Sequence, residues 1–502
     1  GASLVNDGSI DVNGSGYIQG VNVVSPYGLA EVVNNGSIDV YSTDIAIGAY
    51  AGGGGGASVT NNGIIDAYGA YGAAGVVAYG YQSGVTIDNQ GAIYATSKYG
   101  SAFGVIGYGD DVTIGNDGYI SAFSFYGDAT GVVAYAQVGL ADITNTGLVR
   151  ADAFYGEATG IEALGYGGVS VVNEGGVIAR GYYGATGIVA YSAGTASVGN
   201  NAYGYVGAQS YLGEAVGIDS LGYSAYASNY GTVRAGSYFG DATGINAEGF
   251  SGVAGVVNDG TVFAESYYGV ANGIIANGAY GAAVTNTGGV YAFGYLGAYG
   301  IAADGGYGNA QVDNNSGRVV AITENGYAGG IFSYGDTATV NNGGGVYAIS
   351  AYGGAVGIAA EGVNGATVDN SGLARAYAYL DATAIRAYAD FGPADITNSG
   401  EAFARSDTGN AFGLYAYSTY GDTSVVNTGD AIGIATNGIG DGIFASGYNV
   451  SVDNQGYAVG VGFYFGAGIE AQGAYGVNVT NGAGARAYGY GGYYAFGIYA
   501  TG

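Results

Sequence analysis

The segment VVNNGSIDVYS, residues 32–42, returns along the whole chain in altered spelling. Its counterparts include TIGNDGYISAFS at 113–124, DITNTGLVRADA at 142–153, TVDNSGLARAYA at 367–378 and SVDNQGYAVGVG at 451–462. The common pattern is [VI]-x-N-x-G-x-[IVA]-x-A. Its asparagine falls at Asn6, Asn34, Asn61, Asn89, Asn116, Asn145, Asn173, Asn201, Asn229, Asn258, Asn286, Asn315, Asn342, Asn370, Asn398, Asn427, Asn454 and Asn481, always 27 to 29 residues apart. The register blurs near Asn201 and at Asn314/Asn315, where a residue is inserted. Half a period later comes G-[IVL]-x-A, as at Gly75, Gly104, Gly131, Gly160, Gly187, Gly217 and Gly244, with Ala384 replacing the glycine once. A fixed period of this length is the mark of a repeat architecture.

Each repeat holds short β-branched segments with period-two alternation, bounded by Gly and Asn, which read as strands and turns. No helical stripe is present. The pattern predicts an all-β fold, a parallel β-solenoid (β-helix) of about 18 coils of 27–29 residues. Residues 1–502 then form a single continuous solenoid without separate caps or linkers, and right-handed winding is the default for parallel crossovers. At about 4.8 Å per coil such a stack would be a rod of roughly 85 Å.

Stacking places every position over its own copy. Val32, Val59, Ile87, Ile114 and Ile143, two before the asparagine, are expected to fill one wall from inside, and Ile38, Ile65, Ile93, Ile120 and Val149 the next. Later coils carry Ala374, Ala402, Ala431, Ala458 and Ala485 in the second series, so the core should repack toward the C-terminus. The asparagine suits a corner in turn or left-handed geometry, its amide bonding the coils above and below. The glycine after the corner would permit positive φ. Ten residues past the asparagine stand Tyr71, Tyr99, Tyr126, Tyr155, Tyr183, Tyr211, Phe239 and Tyr268. These rings read as a stacking column that holds register or as an exposed strip for sugar faces or another filament. The acids that follow, Asp128, Glu157 and Glu214, are expected at a solvated corner.

Composition narrows the function. Gly 106 and Tyr 52 stand against Pro 2 and no Cys, Met, Trp or His, and 38 acids against 9 bases give a net charge of −29. Such a surface repels phosphates, so neither nucleic acid nor anionic membrane is an expected partner. No apolar run reaches the roughly 20 residues of a membrane-spanning helix, and no membrane insertion of this segment is expected. Without Cys there are no disulfides and no thiolate metal sites. The chain has neither an initiator Met nor a signal-peptide pattern, and reads as a piece of a longer product. Joined head to tail, Asn481 and Asn6 would lie 27 residues apart, in phase with the repeat, which suggests end-to-end self-association into filaments.

Catalytic constellations are poorly represented. With no His or Cys there is no Ser-His-Asp triad and no cysteine nucleophile. Lys98 is the only lysine. The glycine runs Gly52–Gly56 and Gly343–Gly345 lack the following helix of a phosphate cradle. Asp110 and Asp111 should point to opposite faces of a strand. Asp11, Asp39 and Asp66 stack on three coils, where solvated surface charge is the plainer reading and a weak calcium site the sharper one. Arg150, Arg234, Arg375 and Arg486 share one coil position and mark an outward row. No catalytic, cofactor-binding or metal-ligating residue is assigned, no cofactor is implied, and the chain does not read as an enzyme.

The repeats SVVNEGGVIA (170–179) and AVTNTGGVYA (283–292) resemble, in style and over the whole chain, the β-helical passenger region of bacterial autotransporter adhesins. The resemblance implies a secreted rod, extracellular or on the bacterial cell surface. The expected function is therefore a structural extracellular fibre or adhesin rod, with surface glycans as possible partners. The alternative is a carbohydrate-binding or carbohydrate-cleaving β-helix, which a non-repetitive cleft of acids would favour; the sequence displays no such cleft. A third reading, ice binding, wants a flat threonine array, and Thr130, Thr159 and Thr186 give way to Val216.

Overall fold

Alternating apolar and polar residues extend the backbone, and the glycine-rich breaks turn it, so that each repeat becomes three strands. Ala57–Asn61, Ile64–Gly69 and Gly72–Gly80 make up one such coil. The computed structural model describes residues 1–502 and contains no helix. Every strand pairs in parallel and in register with its copy in the next coil: Asn61 with Asn89, Ile65 with Ile93, Val76 with Val105. The chain is thus an all-β parallel solenoid of about 18 turns. It divides into two compact units, Gly1–Phe250 and Ser251–Gly502, each with nine corner asparagines. In some coils the third strand runs straight into the next coil, as in Gly184–Asn200 and Tyr327–Asn342, and a register shift replaces the turn.

The inward series behave as expected. Val32, Val59, Ile87, Ile114 and Ile143, and Ile38, Ile65, Ile93, Ile120 and Val149, are all 1% exposed or less. The corner asparagines are buried as well, except Asn481 in the last coil, which is exposed. In the first unit Asn6 Nδ2 donates to Asn34 Oδ1, and the relay runs unbroken to Asn229. In the second it runs from Asn258 to Asn481, and each step in both units is 2.7–2.8 Å. The asparagine carbonyls are used twice over: Asn34 O accepts from Asn62 N at 2.8 Å and Gly63 N at 3.1 Å.

Four expectations are corrected. The relay passes through Asn200 and Asn314, not Asn201 and Asn315; the extra residues bulge out after the corner, so the true corner keeps its register. The corner asparagines end strands and are not left-handed; Gln82 is the one non-glycine residue with positive φ. The N-x-G glycines do not have positive φ either. They are required by close approach, since a Cβ on Gly36 would lie 1.8 Å from Gly8 O and one on Gly63 1.9 Å from Gly36 O. Finally, Ala487, not Ala485, continues the alanine series, because the last corner is enlarged by residues 482–485. Arg486 therefore pairs with Tyr457 and leaves the row of Arg150, Arg234 and Arg375.

The G-[IVL]-x-A glycines have a separate cause. A Cβ on Gly131 would meet Val149 Cγ1 at 2.3 Å and Gly160 O at 2.6 Å, and the same clash recurs at Gly160 with Val177 and at Gly187 with Val206. The third wall thus lies directly on the aliphatic series four past the corner. By this register Ala384, the one substituted position, is opposite Ala402, where the aliphatic has shrunk. Further on, the walls close together: a Cβ on Gly442 would reach the Val459 nitrogen at 2.5 Å, and one on Gly468 the Tyr488 nitrogen at 2.5 Å. The expected C-terminal repacking is this thinning.

Two outcomes follow for stability. Gly131→Ala should destabilise by about 1–3 kcal/mol through overpacking, and Val149→Ala by a similar amount through its cavity. The double variant should cost clearly less than their sum in a denaturant double-mutant cycle. Asn145→Asp removes the donor to Asn173 and buries a charge. It should lower the melting temperature much more at pH 8 than at pH 4, where a protonated carboxyl donates again.

Candidate functional site

The aromatic residues of the first unit stand on the outside. Tyr71, Tyr99, Tyr126, Tyr155, Tyr182, Tyr211 and Tyr238 form one column, successive ring centroids 5.2–5.7 Å apart. All but the half-buried Tyr182 are 38–61% exposed. The spacing follows from in-register pairing, which lays each ring near its copy. Two members differ from the expected set: Tyr182 and Tyr238 replace Tyr183 and Phe239, which turn edge-on to them. The turn carrying Tyr182 holds two residues, 182–183, where that of Tyr155 holds three, 154–156, and from Tyr182 on the column uses the first residue after the strand. Tyr268 lies in the second unit against Tyr267 and Tyr295. Lys98 sits 4.8 Å over the Tyr99 ring. A second column, Tyr79–Tyr108–Tyr135, stacks at 4.7 and 4.9 Å.

The acids beside the first column are exposed, as expected, and they also do structural work. Asp128 Oδ1 accepts from Glu157 N of the next coil at 2.9 Å, and in the second unit Asp381 Oδ1 accepts likewise from Asn410 N at 2.7 Å. Asp110 and Asp111 lie in a bend between strands, not within one; Asp111 Oδ1 accepts from Leu140 N at 2.9 Å. Asp11, Asp39 and Asp66 do stack in register. Partial desolvation, and then Asp39 beside it, raises the Asp66 carboxyl above its ordinary value. No group of three or more acidic side chains converges on one point. Gly52–Gly56 is a corner whose backbone packs on Pro26 and Gly28.

Sequence reasoning missed a buried serine series eight residues past the asparagine. Ser124 Oγ donates to Gly100 O at 2.7 Å and accepts from Gly127 N at 2.9 Å; Ser350 makes the same pair with Gly326 and Gly353. The recurrence of Ser42, Ser97, Ser124, Ser237 and Ser266 was the signal.

It also missed the outer face of the third wall. There the residues flanking each Gly-aliphatic pair meet over it, as Phe412 and Tyr415 do at 5.2 Å. In the first unit Thr130, Thr159 and Thr186 line up here, but they are buried or half-buried, not a flat exposed array. In the second unit the face carries its own cluster. Phe332, 3% exposed, packs with Val356 and Ala359 among Tyr299, Tyr327 and Tyr334. Arg386 forms an ion pair with Glu361. Burial pushes the Tyr327 and Tyr334 hydroxyls up to about 12, against the opposing pull of Arg386. Tyr415 stacks on Phe444 at 4.9 Å.

Beside Phe444 lies an acid pair. Asp441 is 1% exposed, and its Oδ1 accepts from Ala467 N at 3.2 Å. Burial first, and then the neighbouring Glu470, push its carboxyl up to about 8. Burial likewise raises Glu470, whose carboxylate accepts from Gln472. Asp441 Oδ2 has no donor of its own. Burial and the neighbouring Glu470 both favour the neutral form of this carboxyl, which removes the cost of an uncompensated charge there. This pair was not legible in the sequence, since Asp441 and Glu470 are 29 residues apart on different positions of the repeat.

Compared with known protein families, curated proteins and solved structures, the chain has no match.

The acid pair sets a pH dependence. The folded carboxyl of Asp441 titrates near 8 and the unfolded one near about 3.9. The folded state therefore holds the extra proton between these values, and stability falls as pH rises through that window. Asp441→Asn should match the wild type near pH 4 and exceed it by a few kcal/mol at pH 9. Thermal melts across that range would show the two curves diverging.

Proposed function

We propose that this chain is a structural and adhesive scaffold at the cell exterior, whose contact surface is the outward tyrosine column of the first unit. The observation that carries the reading is the exposure of those rings in one line over seven coils. Side chains held in line by a rigid sheet lose little entropy on contact. Rings stacked on one another turn their edges and hydroxyls outward, a strip that suits the apolar patches and hydroxyls of an extended sugar chain. Main-chain pairing and the buried asparagine relay supply the stiffness such a scaffold needs. A net charge of −29 keeps copies from aggregating side by side. The exterior location rests on the repeat-style resemblance to autotransporter passengers.

The test replaces three rings together, Tyr99→Ser, Tyr126→Ser and Tyr155→Ser. Because they are exposed, the melting temperature should hardly move. Adsorption of the full chain to cellulose and chitin particles should weaken about tenfold, a loss of about 1.4 kcal/mol. Unchanged adsorption would remove the column from the reading, and a change in sedimentation instead would show it serving contacts between copies.

A further inference from the structure

At sixteen of the eighteen corners the residue after the asparagine carries a side chain; the exceptions are Asn481-Gly482-Ala483-Gly484 in the last coil and Asn342-Gly343-Gly344, which alone reads N-G-G. The preceding corner is enlarged to Asn314-Asn315-Ser316-Gly317. The two irregularities are one feature. The longer corner carries its backbone over Gly343, where a Cβ would lie 2.5 Å from Asn315 O. The result is an open concavity of about 330 Å³ between the bulged Asn315 on one side and Ser371 and Ser399 on the other. Asn341, Asp369 and Thr397 form its flank.

The lining is chemically uniform: small side chains that donate and accept hydrogen bonds, with one carboxylate and no aromatic ring. Asn341 Nδ2 is fixed on Asp313 Oδ1 at 2.7 Å, which orients the amide. The size is at the small end of ligand sites. The charge is negative on this face. Burial, and then Asp369 beside it, raise the Asp395 carboxyl above its ordinary value. An anionic ligand is therefore disfavoured, and no third carboxylate joins to cage a cation.

We infer that this corner concavity of the second unit is a binding site for a single neutral hexopyranose residue. Asp369 accepts from adjacent hydroxyls of the sugar. Ser371, Ser399, Thr397 and the amides of Asn315 and Asn341 complete the polar contacts. The site goes beyond the aromatic column, which lies in the other unit and acts through exposed aromatic side chains, and the two are separable by experiment.

Saturation-transfer NMR on the full chain would use methyl glycosides of glucose, galactose, mannose and N-acetylglucosamine, with glucuronate as the anionic control. Ser371→Gln fills the concavity with a side chain that Gln90 and Gln455 already place at equivalent corners. Asp369→Asn keeps the shape and removes the charge. The expected result is transfer to at least one neutral glycoside and none to glucuronate, at least a fivefold loss in Ser371→Gln, and a smaller loss in Asp369→Asn. Melting temperatures should stay unchanged, and the triple tyrosine variant should keep the full signal. Absence of transfer from all four glycosides, or full transfer in Ser371→Gln, would overturn the inference. So would a melting shift by calcium chloride that Asp369→Asn abolishes without any glycoside signal, which would make the concavity a cation site.

Discussion

In-register parallel pairing is the constraint on which the rest depends. Once each residue must lie over its own copy at strand spacing, a buried polar side chain is tolerable only if it bonds to itself in the next coil. Asparagine does this because its amide carries a donor and an acceptor on opposite sides. The relay from Asn6 to Asn229 and that from Asn258 to Asn481 satisfy a line of amides, buried in all but the last coil, that would each cost about 1–3 kcal/mol if orphaned in the interior. The serine series closes the next turn on the same logic, linking a hydroxyl to the coil before and the N–H after.

The interior obeys a second rule, of thickness. Glycine in the third wall accepts the valine or isoleucine of the second, and a side chain there would clash wherever that aliphatic is kept. Where the aliphatic becomes alanine, glycines spread to Gly433, Gly440, Gly460 and Gly466, and backbone meets backbone. Close packing is preserved by bringing the walls together, in keeping with interiors that leave few voids. The buried Asp441 lies in this thin region, shielded between Phe444 and the following coil.

Repetition also explains where chemistry can occur. Several outward acids share one task, Asp111, Asp128, Asp381 and Asp422 each accepting a backbone N–H of the next coil. Distinctive surroundings arise only where the repeat is broken. The bulge at Asn315 opens a concavity over Gly343, and the third wall of the second unit gathers Phe332, Arg386, Asp441 and Glu470 on its outer face.

The sequence by itself determined the coil. The period, the inward aliphatics and the asparagine corners were legible because stacking repeats the same physical demand in every coil. Only the tertiary structure decided the offsets. Asn200 and Asn314 displaced Asn201 and Asn315, and Tyr182 displaced Tyr183, because bulges and shorter turns change the residue count without changing the register. Which way the tyrosines face, and the meeting of Asp441 with Glu470, depend on the wall on which a residue stands. Local alternation shows that a side chain points away from its neighbours, but only the stacking of complete coils sets what it then touches.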